Sequence, residues 1–132
     1  MASAEPGPDR LEEIRVGALR AVALQMVAKL GIAELLADGP RSAEHLGEAT
    51  STDPGALHRL LRMLAACGVF TETAPGRFGL TPLGDQLRGD HPRSIRGMLL
   101  MEELAGRAFQ HTMHSLRTGE PAFPEAFGEP LY

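Results

Sequence analysis

His111 and His114 stand three residues apart, a spacing that on a helix puts both rings on one side, where they could offer two nitrogens to a metal ion. Zinc sites need a third and usually a fourth ligand, and no Cys, Asp or Glu sits nearby at a supporting spacing. The pair therefore reads as polar helix surface. Glu12-Glu13 and Glu102-Glu103 are paired carboxylates, but neighbours on a helix point to different sides and cannot converge on one reacting atom. Cys67, the only cysteine, cannot close an internal disulfide, and its place on an expected helix face predicts a small packed side chain. No Ser, His and Asp set stands in the strand-turn-helix context that an activated nucleophile needs. Gly84, Gly89 and Gly97 are too far apart for a phosphate or nucleotide loop, and none follows a strand. The sequence thus supplies no catalytic, cofactor-binding or metal-ligating set.

What remains is apolar. Met98, Met101, Phe109 and Met113, with Phe123 and Phe127, could make an adaptable wall for a flat apolar ligand, although the same stripe also suits an ordinary core. From Arg10 to Leu30 the helical pattern carries Leu11, Ile14, Ala18, Val22 and Met26, and a second series, Leu19, Ala23, Val27 and Leu30, falls on another side. A helix apolar on most of its circumference has more to bury than one small core can take. That points to a subunit interface; a central helix buried within its own domain is the other reading.

These side chains must be positioned by a mainly helical chain. Gly31 interrupts the first helix, and a short one over residues 32–37 is stopped by Gly39-Pro40. Ser42 reads as the N-cap of a helix through Ala49, and Asp53-Pro54 as cap and first residue of the next. That helix carries Leu57, Leu60, Leu61 and Leu64 and closes at Gly68. Residues 69–71 and 77–80 flank Pro75-Gly76 as a two-stranded hairpin. Thr81-Pro82 starts a short helix through Leu87 that Gly89 ends. A long helical pattern follows His91-Pro92, with a kink or break expected at Gly106 and a stop at Gly119. The reading is a disordered tail over residues 1–9, a helical domain over 10–119 with an embedded winged helix-turn-helix and a two-stranded β-hairpin wing, and a connector over 120–132.

A winged helix commonly reads DNA with its second helix, here through His58, Arg59 and Arg62, with Arg77 on the wing. The formal charge is −4 and the pI about 5.7, and the hairpin tip carries Glu72 with no Lys or Arg, which opposes counterion-driven binding. A DNA-binding regulator is the runner-up reading. No run nears the 18 or so apolar residues of a membrane span, and no basic-then-apolar leader is visible, so a cytoplasmic protein with no membrane partner is expected.

The phrases VALQMVAKLGIAELLADGPRSAEHLGEAT, DPGALHRLLRMLAACGVF, GRFGLTPLGDQLR and HSLRTGEPAFPEAFGEPLY, in that order, closely resemble the N-terminal part of bacterial and plant-type small-molecule O-methyltransferases of the hydroxyindole, caffeate and polyketide-tailoring kinds. The resemblance spans residues 10–132. It implies a helical domain whose winged helix dimerises and does not bind DNA, joined to a C-terminal domain that binds S-adenosylmethionine and holds the catalytic base. It also implies that the last helices wall an aromatic acceptor, with Met101, Leu104, Phe109 and Met113 as contacts, and that Leu19, Val22, Met26 and Val27 face a second copy in a homodimer.

Two departures accompany the resemblance. At Phe109 many relatives carry tryptophan, so the smaller ring would leave a roomier pocket. The family continues past the stretch ending at Tyr132 into its donor-binding part, so the expectation here is a part of a longer enzyme, inactive alone, or the free-standing half of a split methyltransferase.

Overall fold

The computed structural model of the chain describes residues 9–121. Local caps account for most of its element boundaries. Helix α1, Arg10–Leu30, ends where Gly31 turns left-handed at φ 71°, a conformation that costs glycine nothing, and α2, Ile32–Leu35, starts directly from it. Ser42 accepts from the His45 amide at 3.1 Å to start α3, Ala43–Thr50; Asp53 accepts from the Ala56 amide at 2.8 Å to start α4, Pro54–Ala66. Thr81 does the same for α5, Pro82–Asp85, through the Gly84 amide at 3.0 Å.

Between α4 and α5 lie β2, Phe70–Ala74, and β3, Arg77–Leu80, the expected hairpin. A third strand that the sequence does not announce, β1, Arg41–Ser42, adds antiparallel to β3, giving the order β1-β3-β2. Glu72 pairs with Phe78 and Ala74 with Arg77, so a bulge at Thr73 absorbs one extra residue before the turn. Alternation along β2 places Phe70 and Glu72 on the side that meets α4.

The core is a single cluster in which Val27, Ile32, Leu46, Leu61, Leu64, Phe70 and Phe78 are fully buried. On α4, Leu57, Leu61 and Leu64 recur at helical spacing and point inward. Gly84 sits so close to the sheet that a Cβ there would lie 2.0 Å from the Val69 carbonyl oxygen, which only glycine permits.

The last helices are α6, Arg96–Phe109, and α7, Thr112–Thr118. Arg96 Nε donates to the Ala28 carbonyl at 3.0 Å, bringing a cation to the C-terminal end of α1 at a carbonyl that also accepts from the Gly31 amide. About two turns further along α6, Lys29 Nζ donates to Glu103 Oε1 at 2.8 Å, so α6 lies against the C-terminal half of α1. The helix runs through Gly106 without a break. A mid-helix glycine costs only about 1 kcal/mol, and the chain interrupts at Gln110 and His111 instead.

The tail over 1–8 and the connector residues Phe123, Phe127 and Tyr132 lie outside the described residues.

Candidate functional site

Two apolar surfaces stand away from the core. On α1, Leu19, Val22 and Met26 are all exposed, as an interface needs. Val27 is a correction: it is 1% exposed within the chain itself and belongs to the core cluster. Met26 and Val27 are adjacent, so a rotation of about 100° along the helix carries one outward and the other beneath α1. Periodicity places residues on a helix, but it cannot say which side its own domain occupies.

The second surface is the side of α6 opposite α1. Leu99 faces inward and is buried, whereas Met98, Met101 and Leu104 point away. Phe109 closes α6 at 67% exposure, and Met113 follows in the first turn of α7, also exposed. These four predicted acceptor contacts therefore lie along one exposed stretch of chain. Leu104 also lines a recess of about 250 Å³ with Leu100, Glu103 and Arg107.

A larger apolar groove of about 470 Å³ lies among α1, α4 and α6. Met26 and Leu30 form one wall and Ala56, Leu57 and Leu60 the other, with the Lys29–Glu103 pair at its rim. Sequence reasoning missed this groove. Leu60 carried the only signal, being the one member of the α4 stripe that the core leaves half-exposed.

The arginines of α4 and the hairpin are exposed, and two of them, Arg62 and Arg77, engage acceptors on the protein itself. Arg62 Nε is 3.4 Å from Glu72 Oε1, and His58 Nε2 lies 3.3 Å from Glu72 Oε2 with its ring edge-on to Phe78. The Gly76 amide donates to Glu72 at 2.9 Å. That backbone hydrogen bond, helped by His58 and Arg62, holds the Glu72 carboxyl below its usual range despite its partial desolvation. Arg77 Nη2 donates to the Pro40 carbonyl at 3.0 Å. Arg59 stays exposed. Glu72 thus offsets the charge of Arg62 and weakens the field that this helix presents to a phosphate backbone.

Cys67 is a second correction. It is the exposed C-cap of α4 and not a packed helix-face residue. The inward positions of α4 end at Leu64, and the chain turns at Gly68, where φ is 82°, leaving the thiol on the outside of that turn. His111 stands at the N-cap position of α7, in the break between the last helices, without a side-chain capping bond. Among the described residues no helix is long and apolar enough to cross a membrane.

Comparison with known proteins gives a consistent picture. A family model described as the O-methyltransferase dimerisation domain matches residues 14–89. An 8-amino-8-demethylriboflavin N,N-dimethyltransferase from Streptomyces davaonensis is 44% identical over 125 residues, covering 93% of this chain and 36% of the relative. A phenazine O-methyltransferase from Lysobacter antibioticus is 46% identical over 106 residues, covering 80% of this chain and 31% of the relative. Among solved structures, an O-methyltransferase from neocarzinostatin biosynthesis, in complex with S-adenosylmethionine and 2-hydroxy-5-methyl naphthoic acid, superposes with a TM-score of 0.75 at 37% identity. That match covers 83% of this chain and 35% of the other. The chain spans about a third of the length of the curated relatives it matches.

Proposed function

The chain belongs to the O-methyltransferase dimerisation domain family, and from that premise we propose that it is the dimerising and acceptor-walling module of a cytoplasmic, S-adenosylmethionine-dependent methyltransferase acting on a hydroxyl of an aromatic small molecule. The observation that carries this is the pairing of the family match with two outward apolar surfaces. One lies on α1 and one on α6 and α7, and the chain's own core uses neither.

The described residues do not fit the methyl donor. Their sheet is antiparallel, and its strands are joined by the tight turn at Pro75-Gly76, with no strand that runs through a glycine-rich loop into a helix N-terminus. We therefore assign the donor to a C-terminal methyltransferase domain like that of the longer relatives, and expect residues 10–119 alone to be inactive. What this chain contributes is a wall. Met101, Leu104, Phe109 and Met113 would cover the flat face of the acceptor and exclude water from it. Leu19, Val22 and Met26 would hold two such walls in one homodimer.

Sedimentation of the chain tests the dimer. A dimer at micromolar concentration that becomes a folded monomer on Val22→Asp or Met26→Asp supports the reading; a stable monomer before substitution defeats it.

A further inference from the structure

The chain between α5 and α6 is tied down at three points before the exposed stretch of α6 begins. The Ile95 amide donates to the Gln86 carbonyl at 3.1 Å, which closes the connecting loop at its base. Within that loop the Gly89 amide donates to Glu34 Oε1 of α2 at 2.9 Å. Arg96, the first residue of α6, then donates through Nε to the Ala28 carbonyl near the end of α1, and the same Nε lies 3.9 Å from Glu34 Oε1. One guanidinium thus faces acceptors from two different elements. Both elements are anchored, since α2 carries the buried Ile32 and Ala33 and α1 the buried Val27 and Ala28.

Past this junction the core's hold on α6 rests on one side chain. Leu99 alone among the residues of the helix joins the core cluster, and Ala108 is buried apart from it. The Lys29–Glu103 pair is exposed and adds little. Met101, Leu104 and Phe109 all come after Leu99 and are exposed. The helix has 14 residues, so Phe109 lies about 20 Å along the axis from Arg96. At that radius a tilt of about 5° at the junction moves the ring by about 2 Å.

We propose that Arg96, with Glu34 as its counter-charge, is the positioning residue of the acceptor wall: it fixes the direction in which α6 leaves the domain, and through that the places of Met101, Leu104 and Phe109. The inference rests on the acceptor-wall reading above and adds what aims the wall. Arginine suits the task. Its planar, charged fork can engage two acceptors at once and so defines an orientation, whereas an ammonium on a flexible stem defines only a point. One acceptor is a carbonyl at a helix C-terminus, where positive charge is favoured, and the other is a carboxylate that the Gly89 amide already steadies. In that reading the wall residues touch the acceptor, and Arg96 acts through the helix that carries them.

Residual dipolar couplings of the α6 amides, taken against those of α4 in the same aligned sample, report the tilt of the helix in the whole chain. Arg96→Met keeps the aliphatic stem and is expected to turn α6 by several degrees, with Arg96→Lys falling between it and the parent. Arg93→Gln, which removes a charge from an exposed loop residue, should leave the tilt unchanged. Glu34→Gln keeps an acceptor for the Gly89 amide and should turn the helix the same way by less, which gives a second reading if Arg96→Met does not fold. In an active methyltransferase carrying this segment, Arg96→Met should raise the acceptor KM about tenfold and leave the donor KM unchanged. An unaltered tilt in both Arg96→Met and Glu34→Gln, with any loss confined to kcat or melting temperature, marks a purely structural ion pair; it overturns the positioning role and leaves the acceptor wall standing. A tilt that shifts with no change in acceptor KM overturns the acceptor-wall reading, and the positioning role falls with it.

Discussion

The Glu72 carboxylate of β2 accepts a hydrogen bond from the backbone amide of Gly76 at 2.9 Å, across the turn that joins the two strands of the hairpin. The same carboxylate faces His58 and Arg62 on α4, so one side chain closes the turn and ties the hairpin to the helix. Its pKa in the folded chain is depressed below its ordinary value of 4.5. The stabilisation is therefore complete above that value and is lost as pH falls through the lower, folded-state value. Thermal melts taken from neutral pH down through this window should show Glu72→Gln less stable at neutral pH, with a weaker acid dependence than the parent. Parallel pH curves for the two proteins would refute the linkage.

Gly84→Ala should be among the most damaging single substitutions. Its Cβ would meet the Val69 carbonyl oxygen at 2.0 Å, and that atom belongs to backbone that cannot swing aside. A loss of about 2–4 kcal/mol in urea unfolding is expected, against the gain that alanine usually brings to an exposed helix. Gly97→Ala on α6, where a new Cβ meets nothing within 4 Å, is the matched control and should be neutral or slightly stabilising.

Val27→Asp and Val22→Asp should separate folding from association. The first places a charge in the core and is expected to abolish cooperative folding. The second leaves helical circular dichroism unchanged and alters only the sedimentation coefficient.

The Lys29–Glu103 pair spans 74 residues of sequence, but both side chains are substantially exposed. A double-mutant cycle with Lys29→Met and Glu103→Gln should give a coupling of about 0.5 kcal/mol, reduced further by salt. Its value lies in placing α6, whose Leu99 joins the core cluster.

On the outer side of α6, Phe109→Ala and Met101→Ala should change unfolding free energy by less than about 0.5 kcal/mol, whereas Leu99→Ala should cost about 2–4 kcal/mol. In an active methyltransferase carrying this segment, Phe109→Ala is expected to raise the acceptor KM about tenfold and leave the donor KM unchanged. A rise in both would place Phe109 outside the acceptor wall.

The capped helix starts were legible in the sequence because each rests on chemistry local to a few residues: Ser42, Asp53 and Thr81 all cap as their side chains dictate. The stripe on α4 was legible for the same reason. What escaped depends on distant partners. β1 exists only because β3 offers an edge to Arg41 and Ser42, and the groove exists only where α1, α4 and α6 meet. Val27 and Met26 differ in fate although their types and spacing are alike, because the direction of the core is a property of the assembled domain. The four acceptor positions share an exposed stretch, and what they touch was assigned by family likeness and not by spacing.

The outward apolar side of α1 ties the chain's durability to its abundance. If that surface is covered by a second copy, the melting temperature should climb as the protein is concentrated, by mass action and with no change in any internal contact. A scarce chain would then leave Leu11, Ile14 and their neighbours open to degradation machinery, so that supply sets how long each molecule survives.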